Sequence, residues 1–307
     1  VGSVSAFTRL VVAATHNRVA RKVITGTRPG RSLAHRFVAG DTLDHAVAAA
    51  RRVGAAGMPV SLDLLGEEVA DREGALAARR GYLECLDRIA REGIAANISV
   101  KLTQLGLSFD GGLAREAVDE LAERAAAAAT TVTIDMEDSR FTQATVDLYA
   151  GAQERHGNLG VALQAYLRRT PADLERLAPL GGHIRLCKGA YVEPEELALS
   201  GKDEVRAAFA RLLEVLMRHE GVRPAVATHD DRLIALTRSL AARRRGPFEF
   251  QMLYGVRSQL QQELVASGHP VRVYLPYGSQ WYAYLTRRLA ERPANAVFFL
   301  RALAGRG

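Results

Sequence analysis

Eight short apolar runs, each ending in polar residues and most followed by an amphipathic stretch rich in Ala, Leu, Glu and Arg, organise this chain from residue 60 onward. They fall at 60–64, 97–102, 131–136, 160–165, 183–188, 225–229, 248–253 and 271–275. Strands that are mostly apolar throughout and alternate with helices belong in a parallel sheet covered on both faces. Eight such units predict closure of that sheet, an α/β chain with the (β/α)8 TIM-barrel architecture. The length of 307 residues and the hydrophobic content of 48% suit one barrel with a large core. Ahead of the first strand, an Ala/Val-rich helix is expected over about 7–22. After Gly26 and Pro29-Gly30, Asp41-Thr-Leu-Asp caps a second helix running to about Arg52. With no linker and no even repeat, the expected organisation is one catalytic domain over 1–307, with helices over 1–56 and the barrel over 57–307.

In a parallel barrel, catalytic side chains gather where the strands end. Here those ends supply Asp63 and Glu67, Lys101, Asp135 with Glu137 and Asp138, Gln164, Arg185 with Lys188, Thr228 with His229, Gln251 and Tyr274. So many ionisable groups at one end of a sheet point to a mouth that handles anions. Lys101 and Asp135 read either as a buried ion pair or as a lysine facing a substrate carboxylate while the aspartate holds it. Arg185-Leu-Cys-Lys188 runs into Gly189-Ala190-Tyr191, where small residues let a flat ring or a phosphate approach the backbone. His229 has no partner in a metal-binding pattern, and Asp230 and Asp231 read as helix caps. Tyr274 could wall a small apolar ring. After the last strand, Arg287 and Arg288 stand side by side. Helix neighbours point about 100° apart, so the pair is either solvated surface or two planar forks that share one carboxylate.

Composition narrows the classes further. The net charge of +7 is spread along the chain, dense only at Arg243-Arg-Arg245, and no nucleic-acid-binding motif accompanies it. An anionic substrate, an anionic cofactor or an acidic membrane surface uses the same charge. No apolar run is long enough to span a bilayer, and no signal-peptide pattern precedes the first helix. Cys85 and Cys187 are the only cysteines, which fits a reducing cytoplasm and no disulfide framework. A strand followed by GxGxxG, a P-loop, a GxSxG elbow and a zinc pattern are all lacking, which removes support for Rossmann, P-loop, serine-nucleophile and zinc chemistry.

Taken in order, the strand-end segments resemble the proline dehydrogenase family. The matching pieces are Ser61-Leu-Asp-Leu-Leu-Gly-Glu67, Ser99-Val-Lys101, Thr133-Ile-Asp135-Met-Glu, Leu163-Gln164-Ala-Tyr-Leu-Arg, Arg185-Leu-Cys-Lys188-Gly-Ala-Tyr191, Ala227-Thr228-His229-Asp and Glu249-Phe-Gln251-Met-Leu253. Arg272-Val-Tyr274-Leu-Pro-Tyr-Gly and Tyr284-Leu-Thr-Arg287-Arg288-Leu-Ala-Glu291 complete the series. The resemblance implies a distorted barrel that binds FAD without a Rossmann domain. It also implies oxidation of L-proline to Δ1-pyrroline-5-carboxylate, with electrons passed to a quinone and peripheral association with the inner face of the cell membrane. By the same resemblance, Lys101, Arg287 and Arg288 grip the proline carboxylate, Leu253 and Tyr274 pack on the ring, and Asp135 orients the lysine. Met136, Gln164, Arg185, Lys188, Gly189, Ala190, Thr228 and His229 hold the flavin, with Arg185 near its N5 edge. Glu67 resembles a gating carboxylate that pairs with Arg288. Val192 departs from the pattern, since some relatives carry an aromatic there. No aldehyde dehydrogenase segment or DNA-binding region accompanies the barrel, which implies one activity or one domain of something longer.

Two rival readings come from the same residues. A Schiff-base lyase would use Lys101 or Lys188 as nucleophile, its pKa depressed by the nearby arginines. A binding scaffold on a degenerate barrel would need no intact set of strand-end residues. The sequence names no general base for the proline amine, and it leaves oligomeric state open.

Overall fold

The computed structural model of the protein describes residues 31–32, 34–66 and 69–291. The helix expected over 7–22 lies outside them. A helix α1 (Leu43–Ala55) comes first, with Thr42 as its N-cap, and the eight strands and their helices follow. They are β1 (Val60–Leu64), α2 (Arg72–Glu92), β2 (Ala96–Val100), α3 (Gly111–Ala127), β3 (Val132–Ile134), α4 (Ser139–His156), β4 (Leu159–Gln164) and α5 (Thr170–Leu177). Then come β5 (His183–Cys187), α6 (Lys202–Arg218), β6 (Arg223–Ala227), α7 (Asp231–Ala241), β7 (Glu249–Leu253), α8 (Ser258–Ala266), β8 (Val271–Tyr277) and α9 (Trp281–Glu291). All pairings are parallel and sequential, and β8 closes on β1 with Ser61 opposite Tyr274. The expected (β/α)8 barrel is the fold.

Carboxylates in the loops after the strands start several of the helices. Asp110, Asp138 and Asp230 each accept a backbone N–H of the first turn of α3, α4 and α7, which satisfies donors left open at a helix start. Asp138 is therefore a cap and belongs outside the strand-end chemistry; Asp230 caps as expected. Glu137 also turns away from the mouth: its carboxylate accepts from the Thr103 N–H at 3.0 Å and from the Thr103 hydroxyl, tying down the loop after β2.

The strands are not apolar throughout. Val60, Leu62, Ile98, Val100, Val132, Ile134, Ile184 and Leu186 join the helices in the main apolar core. The residues between them are polar and equally buried. Ser61, Asn97, Thr133 and His183 form a hydrogen-bonded ladder around the lower interior, with Ser61 donating to Asn97 at 2.6 Å and Thr133 meeting His183 Nε2 at 2.6 Å. Above it, Arg185 Nη1 donates to Ser99 Oγ at 3.0 Å. That bond joins β5 to β2, which are not neighbours in the sheet, so it passes through the barrel interior. The strand pattern is thus apolar toward the helices and polar toward the axis, an alternation with period two.

The barrel is distorted at its seam. It is α1, ahead of the first strand, that packs against β8 and β1. The final helix α9 instead joins a separate apolar cluster, where Trp281, Tyr282, Tyr284 and Leu285 meet Ala34, Phe37, Val38 and Leu65. That placement brings α9 over the mouth.

Candidate active site

A cavity of about 550 Å³ opens at the carboxyl ends of the strands, a usual size for a small-molecule site. Lys101, Asp135, Arg185, Leu253, Tyr274 and Arg288 line it, and so do Met136, Gln164, Lys188, Gly189, Ala190, Thr228 and His229. Glu67 and the Arg287 side chain lie outside the described residues. The cavity also takes walls from Asp63, Phe37, Cys187, Val256, Gln251 and Tyr284. Asp63 and Gln251 stand at strand ends in the sequence. Phe37 precedes the barrel and nothing in its local sequence marks it.

Asp135 is the hub. Its Oδ1 accepts from Ser99 Oγ at 2.7 Å and from Arg185, and its Oδ2 accepts from Tyr274 at 2.6 Å and Lys101 at 3.3 Å. Lys101 lies closer to a second carboxylate, Asp63 Oδ1, at 2.8 Å. The lysine expected beside Asp135 thus lies between two carboxylates. Arg185 is fixed from below as well. Its Nε donates to Gln251 Oε1, the Gln251 amide donates to Glu249 Oε1 at 2.7 Å, and the same oxygen accepts from Arg272 Nε at 2.8 Å. The Arg185 guanidinium lies 5.1 Å from the centre of the Tyr274 ring.

Burial is the largest influence on these ionisations and opposes every charge. For Lys101, the carboxylates of Asp63 and Asp135, with Tyr274, outweigh it and hold the ammonium well above its ordinary pKa. For Asp135, Lys101 and Arg185 outweigh it and the carboxyl stays below its usual range. Asp63 goes the other way: burial prevails over Lys101, the neighbouring Asp135 adds to it, and its pKa rises. Burial, Asp135 and Asp63 together push the Tyr274 hydroxyl up, so it is a neutral donor.

This geometry removes Lys101 as the nucleophile of the Schiff-base reading. A nucleophilic lysine needs its free amine, and Lys101 faces two carboxylates rather than the arginines expected to depress it.

On the opposite wall, Gln164 donates its amide to Glu137 O at 2.8 Å and accepts the Ala190 N–H at 3.3 Å. Lys188 pairs with Asp230 at 2.7 Å, which also holds Arg206. His229 Nε2 accepts the Leu253 N–H at 3.1 Å. Gly189 has φ +121°, and a Cβ there would stand 2.2 Å from the Tyr166 ring. Its missing side chain therefore makes room for a tyrosine of the protein itself. Val192, the departure noted above, is fully exposed.

Closure by eight parallel strands, a polar axis and a cavity carrying buried cations on braced carboxylates define a (β/α)8 barrel with a small-molecule site at its mouth. Comparison with known proteins narrows that class. The family described as proline dehydrogenase matches residues 46–301. Proline dehydrogenase 1 of Bacillus subtilis is 38% identical over 91% of this chain and 92% of its own length. Proline dehydrogenase of Deinococcus radiodurans is 35% identical over 89% and 90%. Among solved structures, proline utilization A (PutA) of Bdellovibrio bacteriovorus, inactivated by N-propargylglycine, shares the fold with a TM-score of 0.81 at 21% identity, over 92% of this chain and 38% of that one. PutA of Bradyrhizobium japonicum gives a TM-score of 0.75 at 26% identity, over 96% of this chain and 34% of that one. The chain belongs to the proline dehydrogenase family, and with it to the oxidoreductases.

Proposed function

We propose that this chain oxidises L-proline to Δ1-pyrroline-5-carboxylate with FAD as cofactor, and that a quinone takes the electrons. The observation that carries the reading is the convergence of Lys101, Asp135, Arg185 and Tyr274 in one cavity, where the buried Nη2 of Arg185 has no hydrogen-bond partner among the described residues. A buried donor without a partner is costly, and an electron-rich ligand beside Arg185 relieves that cost. The cavity's donors therefore fit a flavin.

The chain's own groups divide the work. Lys101 is a charged, fixed ammonium, suited to one side of a carboxylate clamp completed by Arg287 and Arg288. Asp135 orients that lysine and, through its other oxygen, Arg185. Tyr274 and Leu253 wall the pyrrolidine ring. Met136, Gln164, Lys188, Gly189, Ala190, Thr228 and His229 hold FAD, and the cationic Arg185 favours negative charge gathering beside it. Bound there, FAD would supply at its N5 the acceptor for hydride leaving proline C5. Glu67 pairs with Arg288 as substrate closes the site. Among the described residues no helix is long and apolar enough to cross a membrane, and we place the enzyme in the cytoplasm, peripheral to the inner membrane face, where a quinone is in reach.

The test is direct. Purified protein should carry FAD, and its visible absorbance should bleach on anaerobic addition of L-proline and return with a quinone. Colourless protein trapped by borohydride with a keto acid would return the lyase reading.

A further inference from the structure

Lys101 is shared by two carboxylates with opposite surroundings. Asp135 accepts from Ser99, Lys101, Arg185 and Tyr274, so both of its oxygens are engaged. Asp63 is 1% exposed and lines the same cavity, yet its Oδ1 is held by Lys101 while Oδ2 is buried with no hydrogen-bond partner among the described residues. Burial raises the proton affinity of Asp63, and neighbouring cations hold that of Asp135 down. Where an environment separates two carboxyls in this way, one serves as a permanent charge and the other as a proton carrier.

The proposed oxidation needs such a carrier. Proline binds as an ammonium, and its nitrogen cannot help expel hydride from C5 until a proton has left. In an α-amino acid the carboxylate and the amine share one carbon, so a carboxylate gripped by Lys101 brings the amine among the groups around Lys101. We propose that Asp63 is the proton acceptor for the substrate amine, with Asp135 the fixed anion of the site; the proposal rests on the proline reading above. In the step, an N–H bond of the ammonium breaks and an O–H bond forms on Asp63. The electron pair stays on nitrogen, so ammonium plus carboxylate become amine plus carboxylic acid. The proton passes to solvent after product leaves. Among the described residues, the groups facing Asp63 are Lys101 just after β2, Asp135 just after β3, Tyr274 and Tyr277 on β8, and Tyr82 on α2. The three tyrosines are held neutral by burial, so Lys101 and Asp135 supply the charge it feels.

Asp63 must start as a carboxylate, so kcat/KM for proline should fall by one proton as pH drops through its raised pKa. In Asp63→Asn that acid limb should vanish, and kcat/KM at neutral pH should fall by about a hundredfold, recovering as pH nears the pKa of the substrate amine. Binding of tetrahydrofuran-2-carboxylate, which keeps the carboxylate but has oxygen in place of N–H, should stay near the wild-type value when read from the flavin spectrum. An acid limb that persists in the variant, or equal loss of affinity for the ether and for proline, would show a positioning role and overturn the proposal. If the variant does not fold, a wild-type profile flat to the pH of unfolding does the same. Wild-type flavin that proline fails to bleach would instead overturn the functional reading beneath it.

Discussion

Tyr274 donates its hydroxyl hydrogen to Asp135 Oδ2 at 2.6 Å, joining the eighth strand to the third across the mouth of the barrel. The same ring lies against the Arg185 guanidinium, which also binds Asp135. Anion, cation and aromatic face thus fix one another. Replacing Tyr274 by Phe keeps the ring and removes only the donor. A hydrogen bond to a charged group contributes on the order of 1.5 kcal/mol or more, so Tyr274→Phe should lower kcat/KM for proline by about tenfold or more with flavin content unchanged. Steady-state kinetics checks this, and unchanged kcat/KM would detach the hydroxyl from the site's function.

Arg288 reaches the cavity from α9, with its guanidinium 5.2 Å from the Tyr284 ring. As part of a carboxylate clamp, its loss removes a charge-assisted contact to substrate and leaves the opposite wall intact. Arg288→Met should raise the KM for proline by about a hundredfold while FAD stays bound. A near-normal KM would take Arg288 out of the clamp.

Lys188 lines the wall assigned to the cofactor, and its partner Asp230 keeps Arg206 when the lysine is gone. A part-exposed pair of this kind contributes about 0–1 kcal/mol to stability. Lys188→Ala should therefore melt close to wild type yet purify with less FAD per chain, measured as the ratio of flavin to protein absorbance. Full loading of the variant would count against the cofactor role.

His183 lies inside the lower barrel against Thr133, where burial pushes its pKa down to about 3. In the unfolded chain a histidine titrates near 6.5. Below that value the unfolded state binds a proton that the folded state refuses, so stability present above about pH 6.5 is lost progressively toward pH 3. The loss at pH 5 is about 2 kcal/mol. The urea midpoint of the wild type should fall between pH 7 and pH 5, and His183→Gln should flatten that fall. An equally steep fall in the variant would place the acid sensitivity elsewhere.

Much of this was legible in the chain. The eight strand positions hold to within about two residues, because the outward face of each strand is apolar and most end in polar or charged residues. At β2 the ladder stops sooner than the hydrophobicity: it ends at Val100, and Lys101 turns its ammonium to Asp63 and Asp135, whereas β8 runs on to Tyr277. The polar axis is not legible there, because single serines, threonines and an asparagine inside apolar runs look incidental until closure faces them inward. The Glu249–Gln251–Arg185 relay has the same cause: spacing reveals alternation, but only the closed barrel shows that three side chains share one interior. Phe37 and Tyr284 were assigned no role, since their nearness depends on α9 leaving the seam to α1.

That seam has a consequence for how the protein is made. Asp63 belongs to the first strand and Tyr274 to the last, and β1 and β8 pair directly. A chain still leaving the ribosome can build most of the cylinder but owns neither the closing strand nor the helix above it. The pocket therefore gains its last walls, Tyr274 and Arg288, only after those of β1 to β7 have been made.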